Sequence, residues 1–200
     1  HTMQMVMAGN DSEGLRYGSI ETPEKYYLTW KEVRERNLDN PNLLELTQSI
    51  RDLSQKQPIL LDRHIVQMLS KERFLELIHD FIVFDKGIKK LCRHNQYFGV
   101  KSAQDFVKQH KGGIIWHTQG SGKSLTMVWL AKWIREHVTD SRVLVLTDRE
   151  ELDDQIEKVF FGVDEKIYRT TSCRDLVAQL NTKDKWLLCS LIHKFGRVGA

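Results

Sequence analysis

From residue 112 onward, apolar residues come in short runs that alternate with stretches of helical period. "GGIIWHT" (112–118), "SRVLVLTD" (141–148), "KIYRT" (166–170) and "KWLLCSL" (185–191) predict strands. "GKSLTMVWLAKWIREHV" (122–138), "REELDDQIEKVFF" (149–161) and "SCRDLVAQLN" (172–181) predict helices. Connections this short between alternating strands and helices imply crossovers and a parallel sheet covered on both faces. The unbroken apolar character of "VLVL" and "WLLC" fits strands buried on both sides. Asp148 with Glu151, and Ser172 with Asp175, have the spacing of capping boxes and predict two helix starts.

Upstream the pattern differs. "MQMVM" and "LRYGSI" flank the turn-rich "AGNDSEG" and predict a hairpin over the first twenty residues. Such a ribbon is marginal alone, so it reads as the end of a larger unit. "ETPEKYYLTWKEVRER" (21–36) predicts a helix capped by Thr22 with Pro23 at its first position. "NPNLLELTQSIRDLSQ" (40–55) and "SKERFLELIHDFIVFD" (70–85) predict two more, the last starting from Ser70. The expected organisation is a hairpin connector (1–21), a mainly helical region (22–90) and an α/β domain (91–200).

Composition adds limits. With 40% hydrophobic and 28% charged residues, the chain is ordinary for a globular protein. No apolar run approaches the roughly 18 residues of a membrane span, and the N-terminus has no basic segment followed by an apolar one, so the expected setting is cytoplasmic. Three widely spaced cysteines, Cys92, Cys173 and Cys189, suggest buried reduced thiols rather than a disulfide framework or zinc knuckle. The net charge of +3 permits an acidic partner without demanding one.

Chemistry concentrates in "HTQGSGKS" (117–124), where a strand is expected to give way to a helix. At that place in an open α/β sheet, ligands bind beyond the carboxyl ends of the strands. Gly120 and Gly122 permit backbone conformations in which successive N–H groups face an anion, and the helix adds its own N-terminal N–H groups. Lys123 would reach the β- and γ-phosphates and the Ser124 hydroxyl would hold magnesium, which makes this a phosphate-binding P-loop. The alternative is a glycine-rich turn with a solvated lysine. One departure stands out: His117 occupies the place where the pattern ordinarily opens with glycine.

Other candidates flank the loop. Gln96, near Arg93, carries an amide able to donate to and accept from an adenine edge, or is simply a glutamine at a helix start. Thr147, Asp148 and Arg149 end a strand where a hydroxyl, helix N–H groups and a guanidinium could meet a nucleic-acid backbone, or form a helix cap. Ser190, His193 and Lys194 stand at a third strand end. Asp153 and Asp154 read as solvated positions on an amphipathic helix.

The runs "FIVFDKGIKKLCRHNQYFGVKSAQDFV", "GGIIWHTQGSGKSLTMVWLAKWI" and "RVLVLTDREELDDQIEKVF" together resemble the start of the motor in the restriction (R) subunit of type I restriction-modification enzymes, a superfamily 2 helicase-like translocase. "MVMAGND" and "RYGSIETPEKYYLTW" resemble the segment joining that subunit's nuclease domain to its motor, so the resemblance spans nearly the whole chain. It implies a P-loop RecA-like parallel sheet, the N-terminal part of the first motor domain, behind a helical connecting region and a short hairpin. It implies that Arg93 and Gln96 match the adenine-recognising Q motif, and that Thr118, Gln119, Gly120, Ser121, Gly122, Lys123 and Ser124 match the ATP-binding motif, with Lys123 catalytic and Ser124 on magnesium. Thr147, Asp148 and Arg149, and then Ser190, His193 and Lys194, match motifs that face DNA. ATP and Mg2+ are the implied cofactors, and duplex DNA with the modification and specificity subunits the implied partners. The family's activity is ATP-driven translocation of duplex DNA followed by cleavage in a PD-(D/E)xK nuclease domain.

No Asp-Glu-x-His motif follows the loop before Ala200 and no D…E-x-K cluster precedes residue 20. The chain therefore reads as a fragment, expected to bind ATP weakly and neither to translocate nor to cleave. Two rival readings remain: a superfamily 2 helicase without nuclease, and a non-enzymatic module docking through residues 22–90.

Overall fold

In the computed structural model, residues 3–32, 45, 48–52, 55, 58–182 and 184–195 are described. The chain forms two compact units, residues 1–83 with 89–97, and residues 84–88 with 98–200.

In the first unit, β1 (Val6–Asn10) and β2 (Gly14–Gly18) form the expected antiparallel hairpin. Asn10 Oδ1 organises its turn by accepting from the Ser12 and Glu13 N–H groups. A third strand, β3 (Leu28–Thr29), pairs with β2. Helix α1 (Leu60–Leu69) packs on β2 and buries His64, whose Nδ1 accepts the Leu15 N–H at 3.0 Å. Helix α2 (Lys71–Asp80) follows directly.

Three expectations for this region are corrected. Residues 22–32 are not helical: a 3-10 turn spans Glu24–Tyr26 and the chain then enters β3. Thr22 closes a turn instead of capping a helix, its Oγ1 accepting the Ser19 N–H at 3.1 Å. Aromatic and β-branched residues favour a pleated, half-buried surface, and Trp30 is drawn fully into the core against Tyr17 and Tyr97. The helix from Ser70 stops at Asp80, because "IVFD" forms strand β4 (Ile82–Asp85), joined to β5 (Ile88–Leu91). Lys86 and Gly87 between them have φ of 51° and 79°, as a type I′ hairpin turn requires. Of the helix expected over 40–55, Glu45 and residues 48–52 are helical, while 40–44, 46, 47, 53 and 54 lie outside the described residues.

The second unit is mixed α/β. Helix α3 (His94–Lys108) begins in the first unit and continues into this one. Helix α4 (Lys123–His137), strand β6 (Val143–Thr147), helix α5 (Glu150–Gly162), strand β7 (Tyr168–Arg169), helix α6 (Cys173–Asn181) and strand β8 (Leu187–Leu191) follow in the expected alternation. The strands make a parallel sheet in the order β6-β8-β7. Central β8 is buried along its whole length, as a strand covered on both faces should be.

The strand expected at "GGIIWHT" does not form: residues 111–118 are neither helix nor strand. A strand exists only where a neighbour completes its ladder, and this run has none among the described residues. Ile114 and Trp116 are instead 91% and 90% exposed. No helix among the described residues is long and apolar enough to cross a membrane.

Candidate functional site: the glycine loop and the strand ends

The loop before α4 is built as its glycines suggest. Gly120 and Gly122 have φ of 75° and 82°, the left-handed region that glycine enters without steric cost. At Gly120 a Cβ would meet nothing within 4 Å, so backbone conformation rather than crowding calls for glycine there. Gly122 is the N-cap of α4 and supplies no side-chain hydrogen bond to it. The positive end of the helix dipole thus opens onto the loop without a capping side chain. Ser121 turns inward, its Oγ donating to Thr118 O at 2.7 Å. Lys123 folds back over the loop, its Nζ donating to Thr118 O at 3.0 Å and His117 O at 3.4 Å. Thr118, Gln119 and Gly120 are exposed and Ser124 is half-buried.

Such a loop fits a phosphate chain. Two left-handed glycines ahead of an uncapped helix form a concavity for an anion. The Lys123 ammonium at its mouth rests on neutral carbonyls, partners it can exchange for a phosphate oxygen.

Arg93 and Gln96 belong to the first unit, where they form the start of α3. Gln96 is buried, and its Oε1 accepts the Arg93 N–H at 2.8 Å, the reach-back half of a capping box.

At the carboxyl ends of the sheet, Thr147 of β6 stands in register with Leu191 of β8. The two groups of expected nucleic-acid contacts therefore lie side by side, but their side chains divide into two kinds. Thr147 and Ser190 are buried. Thr147 Oγ1 donates to Asp153 at 3.4 Å, and Ser190 Oγ accepts from Thr170 Oγ1 at 2.8 Å. Asp148, Arg149 and His193 are exposed, and Lys194 is half-buried with its Nζ donating to Thr170 O. Asp148 does not cap α5: the N-cap is Arg149, without a side-chain bond, and Asp148 pairs with the Arg149 guanidinium at 3.4 Å.

Beneath these ends lies a cluster that sequence reasoning missed. Asp153 is fully buried, not solvated. Its carboxylate accepts from Arg169 Nε, from Thr147 Oγ1 and, at 2.6 Å, from the Cys189 thiol, so one group ties α5 to all three strands. Arg169 also meets Asp154, and Glu157 at 3.8 Å. Burial, and then the Asp153 carboxylate, push the Cys189 thiol up to about 12. All three cysteines are free, but Cys173 is only half-buried, which corrects the expectation for that residue.

A family model for the SWI2/SNF2 ATPase matches residues 95–199. The "Putative type I restriction enzyme MjaIXP endonuclease subunit" of Methanocaldococcus jannaschii is 30% identical over 96% of this chain and 20% of its own length. The type I restriction enzyme HindI endonuclease subunit of Haemophilus influenzae is 29% identical over 84% of the chain and 17% of its own length. A third relative, the type I restriction enzyme SauCOLORF180P endonuclease subunit of Staphylococcus aureus, is 32% identical over 52% of the chain and 12% of its own length. The chain thus spans about a fifth or less of the curated relatives it matches. The resemblance carried by the motifs is found again in these matches. The chain belongs to the SWI2/SNF2 ATPase family, and its homologues are named as endonuclease subunits of type I restriction enzymes.

Proposed function

We propose that this chain is the ATP-binding part of a DNA-translocating restriction subunit of a type I restriction endonuclease, an ATP-dependent site-specific deoxyribonuclease. The observation that carries this reading is the glycine loop. Two left-handed glycines lead directly into α4, and Lys123 is held over the loop by carbonyls alone among its described bonds. The unit that contains it would be the first part of a RecA-like motor domain.

ATP would supply the phosphoanhydride whose hydrolysis drives such a motor, and magnesium would offset the charge on its phosphates. The loop N–H groups from Thr118 to Ser124 bind its phosphates. Lys123, now resting on the Thr118 and His117 carbonyls, would hold phosphate oxygens, and the Ser124 hydroxyl would hold the magnesium ion. The resemblance implies Gln96 and Arg93 as adenine readers, but Gln96 is buried and its Oε1 accepts the Arg93 N–H, so its amide oxygen is assigned to the start of α3. At the strand ends, Asp148, Arg149, His193 and Lys194 face the duplex. Thr147 and Ser190 act there through their backbones, since their hydroxyls are committed inside the protein. The modification and specificity subunits are the expected protein partners.

Titration of the chain with a fluorescent ATP analogue and magnesium, beside Lys123→Ala, tests this reading. Saturable binding is expected, and Lys123→Ala should abolish it. Equal binding by both proteins would show that the loop is not the phosphate site.

A further inference from the structure

Gly99 lies inside helix α3, where alanine would be the better helix former and where no left-handed backbone calls for glycine. Space explains it. A Cβ on Gly99 would stand 3.1 Å from His117 Cε1, 3.2 Å from His117 Nε2 and 3.5 Å from Ile115 Cγ2. The first two approaches are closer than ordinary van der Waals contact, so the imidazole lies directly on the helix backbone.

His117 is also where the phosphate-loop pattern departs from its usual opening glycine. Its Nδ1 is buried and has no hydrogen-bond partner among the described residues, a cost that native structures rarely carry without a reason. Packing therefore holds the ring. The same residue's carbonyl, with that of Thr118, supports Lys123 Nζ. A helix backbone, an imidazole, a loop carbonyl and the phosphate-binding lysine thus form one continuous chain of contacts.

We propose that His117 is a positioning residue of the phosphate loop: its ring, seated in the space left by Gly99, fixes where the loop enters and so sets how tightly a nucleoside triphosphate is held. This rests on the reading of the loop as an ATP site. A glycine at position 117 would leave the entry to the loop's own conformational freedom, whereas the histidine anchors it to α3. Preorganisation of this kind acts on affinity by lowering the ordering cost of binding.

The test is a double-mutant cycle read as affinity for a fluorescent ATP analogue with magnesium. Gly99→Ala displaces the ring by a few tenths of an ångström. The preorganisation lost in this way should weaken binding about two- to tenfold. In a His117→Ala background the ring is gone, and adding Gly99→Ala should leave affinity unchanged. Thermal melts should show Gly99→Ala folded, because alanine favours the helix. If it folds poorly, His117→Ala alone decides, since it leaves α3 untouched: weaker binding supports the proposal and unchanged affinity overturns it. Equal effects of Gly99→Ala in both backgrounds, or no effect in either, also overturn it. Lys123→Ala separates the two levels. Lys123-dependent binding with additive effects at 99 and 117 removes the coupling alone, whereas binding that ignores Lys123 removes the ATP reading and this proposal together.

Discussion

Asp153 and Asp154 are neighbours on one helix with opposite environments. Asp153 is fully buried, whereas the Asp154 side chain is half exposed. Removing the first strands a thiol and a hydroxyl inside the protein and takes from Arg169 its most buried partner. A buried ion pair broken on one side costs about 3–5 kcal/mol; Arg169 is one-third exposed and keeps Asp154 and Glu157, so for Asp153→Ala about 2–3 kcal/mol is expected in urea unfolding. Asp154→Ala should cost less than about 1 kcal/mol. In the sequence the pair reads as two solvated acids, because helical period alone does not reveal a partner on a strand sixteen residues away. The same burial governs thiol chemistry. Burial pushes the Cys92 and Cys189 thiols up, so iodoacetamide under native conditions should modify Cys173 first and reach the other two only on unfolding, a sequence that peptide mapping would follow.

At the scale of elements, α6 is held at both ends. Its N-cap Ser172 accepts the Asp175 N–H at 3.1 Å, and Ser172→Ala should cost about 1 kcal/mol. The reciprocal half of the expected capping box is displaced by one residue, since the Asp175 carboxylate accepts from the Thr171 N–H and hydroxyl. The Thr171 N–H, above all, holds the Asp175 carboxyl below its ordinary range. A carboxyl whose folded value is depressed adds stability that is complete above its unfolded value and is lost as pH falls through the folded one. Asp175→Asn should therefore flatten the acid limb of a stability profile at that step. Past the other end, Arg142 donates to the carbonyls of Gln179, Leu180 and Lys185. Arg142→Met should cost about 1–2 kcal/mol in the same unfolding assay. Strands β6 and β8 and helices α4, α5 and α6 were legible from their periods, because each finds its partner within the described chain. "GGIIWHT" has the composition of a strand but no ladder to join among the described residues, and composition does not report neighbours. "YYLTW" misled in the opposite sense: the proline-led helix start was overridden by the burial of Trp30.

For the whole molecule, the loop's backbone was legible, since Gly120 and Gly122 take the left-handed conformations that their spacing ahead of a helix suggests. The expected nucleic-acid contacts divide at the strand ends, because which polar side chains face outward is decided by tertiary partners, Asp153 for Thr147 and Thr170 for Ser190. With a net charge of only +3, affinity for duplex DNA should rest on a few exposed cations. Arg149, 73% exposed, is the clearest. Arg149→Ala should weaken duplex binding uniformly across sequences and lower the salt slope of log K by about 1, as measured by fluorescence anisotropy at several salt concentrations. The five tryptophans are equally uneven: Trp30, Trp129 and Trp133 are buried, Trp186 is partly covered, and Trp116 is 90% exposed one residue before His117. The protein therefore carries its own optical probe at the entry to the glycine loop. Iodide should quench Trp116 well ahead of the others, and a change in that quenching on adding ATP would report the loop's response with no label attached.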